Sequence, residues 1–173
     1  MPFFSHFKNN FLINKLKTDF SFDYLFITIE VLASTIDSIE NYIIDEISNL
    51  LEMNGIYPTS SMKLKNFFER SNYGWLNSFF DKNDSYDKMM DSLICDLNRL
   101  DKPLVLNFED LDRINSRDLI LKIFALTEKL SKSSKIKVIF QYDSSNLLKV
   151  LDQDYVFLEK YIPHEVNLTH ITF

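Results

Sequence analysis

Glycine is almost missing from this chain: its 173 residues include only Gly55 and Gly74. With so few positions where the backbone can turn left-handed without strain, the pattern predicts long helices joined by polar loops. Cysteine is scarcer still. Cys95 alone excludes an internal disulfide framework, and a lone thiol in a helical pattern reads as a small core residue. His6, His164 and His170, with that one cysteine, give no zinc-ligand spacing. No apolar run reaches the length of a membrane span. The first residues, with Lys8 and Asn9–Asn10, show no signal-peptide core followed by a cleavage site. Basic blocks are lacking too. The net charge is −6, and Lys8, Lys15, Lys17, Lys63 and Lys65 read as a solvated surface, a poor footprint for direct nucleic-acid binding. No GxSxG elbow is present, so serine-hydrolase chemistry is unsupported. The expectation is a cytoplasmic protein.

What is present is apolar. Hydrophobic residues make up 46% of the chain and 16 residues are Phe, enough for a core and too much for disorder. Periodicity predicts an amphipathic helix over 3–17 with Phe4, Phe7, Phe11 and Leu12 on one face. A strand follows over 24–31, with Thr28 and Glu30 on the face opposite Ile27 and Ile29. A long helix over 35–53 carries the stripe Ile36, Ile39, Ile43, Ile47 and Leu50. After Gly55 and Pro58, Ser60–Ser61 are placed to cap a helix over 62–70. Residues 71–84 read as a short helix and a loop, and 85–100 as a further helix. Then come a strand over 103–108, a helix from Ser116 to Leu130, a strand over 135–142 and a helix over 144–151 capped by Ser144–Ser145. A short helix over 155–162 and a strand over 164–169 complete the pattern. Strands alternating with helices predict an α/β fold, a three-layer parallel sheet with helices on both faces. The Phe pairs at 3–4, 67–68 and 79–80, with Tyr73 and Trp75, read as core and packed loop before they read as binding surface. His6 reads as a surface histidine.

The sharpest passage is PLVLNF running into Glu109-Asp110-Leu111-Asp112-Arg113. In a parallel sheet, ligands bind at the carboxyl ends of the strands, where Asp110 and Asp143 would both project. One carboxylate on a rigid strand can hold Mg²⁺ through water while the next polarises an attacking water. On spacing alone, the same acids serve equally to cap the next helix and solvate a loop.

The passage PLVLNFEDLDR resembles the Walker B region of the KAP family of P-loop NTPases, in which an apolar strand ends in a DDLDR-type sequence. KIKVIFQYDSSNLLKVL is similar to that family's next strand and sensor position, and FLEKYIPHEVNLT to the segment after it. The specific resemblance covers residues 103–169. It implies a P-loop NTPase-like fold, ATP and Mg²⁺ as cofactors, Asp110 as catalytic carboxylate and Glu109 as the metal-linked one. It also implies Asp143 near the bound nucleotide, and Asp112 and Arg113 completing the signature. The sequence departs from the family at Glu109, where Asp is usual, which moves the carboxylate outward.

The larger departure is that no GxxxxGK[ST] occurs anywhere in the chain. That loop cradles phosphate on backbone N–H groups at a helix N-terminus. The order helix, strand, long helix at the start fits a single domain over 1–173, truncated just after the phosphate loop and lacking the first strand. The expected function is therefore a fragment of, or a degenerate, KAP-type NTPase with impaired ATP binding and hydrolysis. The rival expectations are a non-catalytic protein-interaction module that keeps the fold, and a broken gene product. A neighbouring strand left with an unpaired edge would make self-association or a partner protein plausible.

Overall fold

The computed structural model describes residues 14–31, 39–70, 84–153 and 155–166. Residues 14–20 are helical (α1). There follow β1 (Leu25–Glu30), α2 (Ile39–Met53), α3 (Ser61–Arg70), α4 (Asp84–Leu97) and β2 (Leu104–Glu109). A 3₁₀ turn over Leu111–Arg113 leads to α5 (Arg117–Leu130), β3 (Ile136–Phe140), α6 (Ser144–Leu151) and α7 (Tyr155–Glu159). Most of the predicted helix 3–17, the start of the one over 35–53 and the segment 71–83 lie outside the described residues, with His6, Tyr73, Trp75 and two of the Phe pairs. Residues 164–166 are irregular where a strand over 164–169 was expected, and 167–169 lie outside the described residues.

The strands form one parallel sheet in the order β1-β2-β3. Leu25 pairs with Leu104, Ile27 with Leu106 and Ile29 with Phe108, and Leu104, Leu106 and Phe108 face Ile136, Val138 and Phe140 in turn. Because side chains alternate along a strand, these residues share one wholly apolar face. The opposite face carries Phe26, Thr28, Glu30, Val105, Asn107, Glu109, Lys137 and Ile139, a mixture of apolar and polar groups.

The crossover helices cover the apolar face. On α5, Ile120, Ile123, Phe124, Leu126, Thr127 and Leu130 are buried at helical spacing. Phe124 meets Phe140 edge-on at 5.4 Å and stacks on Tyr161 at 4.9 Å. Leu119 on the same helix is only partly buried. On α2, Ile39, Ile43, Ile44, Ile47 and Leu51 are buried. Each such side chain contributes roughly 1.5–3 kcal/mol by leaving water. α2 stops at Gly55, whose φ of +74° suits glycine, and Ile56 N–H closes the turn on Leu51 O at 2.9 Å. One charge pair is buried between the two helices: Lys122 Nζ lies 3.1 Å from Glu40 Oε1. The cap expected from Ser60–Ser61 differs in the structure. Ser61 begins α3 and its hydroxyl lies 2.7 Å from that of Ser48, while the buried Ser60 hydroxyl has no hydrogen-bond partner among the described residues. On the polar face, Lys17 of α1 donates to Thr28 Oγ1.

Candidate functional site

β2 is the central strand, buried from Leu104 to Phe108. The sequence pattern ends it at Phe108, but pairing runs one residue further, with Glu109 beside Glu30 of β1. Glu109 is therefore held by the sheet, and its carboxylate lies on the polar face two residues from Asn107. Asn107 is fully buried. Its Nδ2 donates to Glu109 Oε1 at 3.2 Å, and its Oδ1 accepts from Gln141 Nε2 at 3.0 Å. A chain of side-chain hydrogen bonds thus runs from the end of β3 across β2 to Glu109. It satisfies the buried amide and restrains the carboxylate from one side.

Asp110 leaves the strand in the left-handed region, with φ 55° and ψ 40°. That conformation costs a non-glycine residue about 1 kcal/mol, and Asp and Asn tolerate it better than most. It turns the chain at once into the 3₁₀ turn, whose Leu111 is fully buried. Leu111 N–H donates to Gln141 O at 3.0 Å and Gln141 N–H to Phe108 O at 2.9 Å, so the turn is tied to the end of β3. Arg113 N–H donates to Asp110 O at 3.0 Å, and Arg113 Nε lies 3.5 Å from Asp110 Oδ1, a loose ion pair open to water. Asp112 in the same turn is half-buried.

Asp110 and Arg113 are brought together, while the Glu109 carboxylate bonds to Asn107. Asp143 lies at the same end of the sheet, beyond β3, with different work. Its carboxylate accepts from Asn146 N–H at 2.9 Å and caps α6. The sequence pattern assigned that cap to Ser144–Ser145, which instead begin the helix. Burial, then the neighbouring Glu165 and Tyr155, push the Tyr142 hydroxyl up to about 12. Asn107 and Gln141 were not among the residues the sequence pattern singled out. The signal was there: Asn107 is an amide inside an apolar strand, at the spacing that puts it on one face with Glu109.

The donor set can be compared with the Mg²⁺ and ATP that the resemblance implies. Glu109 keeps an oxygen beyond the one bonded to Asn107, which suits a carboxylate that holds a hydrated cation through water. Among the described residues, no group of three His, Cys, Asp or Glu side chains is placed to ligate a metal directly. The phosphates fit less well, because the sequence holds no GxxxxGK[ST] to cradle them.

The family model for the KAP family P-loop domain matches residues 2–170. No curated protein and no solved structure matches the chain.

Proposed function

The chain belongs to the KAP family of P-loop domains, and from that premise we propose that it carries the carboxylate half of an ATP-Mg²⁺ site, with binding and hydrolysis impaired in these 173 residues alone. The observation that carries this reading is the pairing of Glu109, fixed in the last register of the central strand, with Asp110, turned out of it. Glu109 takes the water-linked metal role, Asp110 the role of the carboxylate nearest the attacking water, and Arg113 balances Asp110. Asp112 belongs to the same signature, and Asp143 lines the nucleotide side while capping α6. The lack of GxxxxGK[ST] supports the impairment and the second reading, a protein-interaction module that keeps the fold. No described helix is long and apolar enough to cross a membrane, and a cytoplasmic setting is part of the proposal.

The test is equilibrium binding of labelled ATP to the purified chain, with and without Mg²⁺, beside Asp110→Asn. The expected result is binding no tighter than millimolar, with little change in the variant. Micromolar, Mg²⁺-dependent binding that Asp110→Asn alters would overturn the impairment and leave the site assignment intact.

A further inference from the structure

The turn that carries Asp110 is held in shape from outside. Asp110 sits in the left-handed region, which a non-glycine residue keeps only where its surroundings fix it. One tie is the hydrogen bond from Leu111 N–H to Gln141 O at 3.0 Å. Another is α6, which among the described elements packs most extensively against the 3₁₀ turn. Leu111 of the turn and Leu147 and Leu151 of α6 are fully buried in one core.

α6 is poorly able to stand alone. It has 8 residues, and a helix so short does not persist in water without help from its ends and its packing. Each end has an aspartate. Asp143 accepts from Asn146 N–H at 2.9 Å, and Asp152, in the left-handed region, closes the last turn by donating its N–H to Leu148 O. Of the two buried leucines, Leu147 is nearer the capped start, and its N–H bonds to Asp143 O at 2.9 Å. Losing the cap therefore frees the turn of α6 that holds Leu147, and with it part of the packing on the 3₁₀ turn. The end of β3 thus reaches the acidic turn twice, through the main chain of Gln141 and through the helix that Asp143 starts.

We infer that Asp143 is a positioning residue for Asp110: by capping α6 it holds the helix against the 3₁₀ turn, and the turn in the left-handed form that leads Asp110 out of β2. In this role Asp143 touches no reacting group. What Asp110 does once positioned rests on the proposed nucleotide reading; the coupling through α6 does not. The effect is one of geometry, so Asn, which caps as Asp does, can stand in for Asp143 and Ala cannot.

The test compares amide NMR spectra of Asp143→Ala and Asp143→Asn with that of the unaltered chain. Asp143 is exposed, so neither variant disturbs the core. Native-state shifts are the readout, because a change in global stability alone does not move them. Asp143→Ala is expected to quicken hydrogen exchange at the Asn146 amide roughly fivefold. It is also expected to move the amide signals of Asn146 and Leu147 and, with them, those of Leu111 and Arg113. Asp143→Asn removes the same charge, keeps the cap and is expected to leave Leu111 and Arg113 in place. Movement of α6 with Leu111 and Arg113 unmoved overturns the inference, as does a stationary α6 in Asp143→Ala. Equal movement of Leu111 and Arg113 in Asp143→Asn also overturns it, by tracing the effect to the lost charge. Mn²⁺ titrated into the unaltered chain tests the nucleotide reading separately: no broadening of the Glu109 and Asp110 signals at millimolar Mn²⁺ sinks the metal role and spares the coupling.

Discussion

The two faces of the sheet are made from the same strands and obey different rules. On one, Leu25, Ile27, Ile29, Leu104, Leu106, Phe108, Ile136, Val138 and Phe140 are all apolar, and α5 packs into them. On the other, Thr28, Glu30, Asn107 and Glu109 interrupt an apolar surface, and polarity concentrates towards the carboxyl ends. The apolar face gains stability with every side chain it buries. The polar face gives some of that up, since a buried Asn107 is neutral only while its partners hold it. The difference teaches that the strands' first duty is served by one face and the placement of the acids by the other.

Substitutions can break or sharpen this contrast. The largest effect is expected from Phe108→Ala, on the sealed face between Ile29 and Phe140, at about 3–5 kcal/mol in a urea unfolding titration. A loss under about 1 kcal/mol would mean that the face collapses around the gap and is not close-packed. Asn107→Leu, one residue away on the other face, is expected to cost less, about 1–2 kcal/mol, because Gln141 and Glu109 lose a partner but reach water. Were it to stabilise the chain, the amide would be retained for positioning Glu109 alone, and the contrast between the faces would be sharper still. Smallest is Asp143→Ala, expected to cost about 1 kcal/mol through the lost cap, with Asp143→Asn costing only a few tenths. If Asp143→Asn changed nucleotide binding as much as Asp110→Asn, Asp143 would belong with the acids of the polar face as well as with α6.

Much of the fold could be read from the residues, because its signals are local. The helix expected over 144–151 and the strand expected over 24–31 emerge close to the observed Ser144–Leu151 and Leu25–Glu30 from alternation and helical spacing alone. The family resemblance seen over residues 103–169 widens to 2–170 in the family match, so the first hundred residues belong to the same domain pattern although none of their short motifs announces it. The acids at the end of β2 stand out in the sequence, and the amides that hold Glu109 do not. Asn107 was absorbed into an apolar run, because a strand read as buried on both faces does not set one amide apart. Gln141 matters through a bond to a residue 34 positions away, which no window of sequence contains. Asp143 was read for the ligand end of a strand when the nearer demand came from the unbonded N–H groups at the start of α6. Glu109 was placed just past the strand because the residue that extends the pairing, Glu30, comes from a distant segment.

The register of β2 between its two neighbours also sets an order of assembly. β2 and β3 are joined through residues 110–135, essentially one helix, whereas β1 and β2 are separated by residues 31–103, which hold three helices among the described residues. Closing the longer connection costs roughly 1 kcal/mol more in chain entropy, and contacts near in sequence form sooner than distant ones. The β2–α5–β3 segment is therefore the cheapest part of the sheet to bring together, and β1 is the strand that waits. The acids at the end of β2 therefore lie in the segment that closes first.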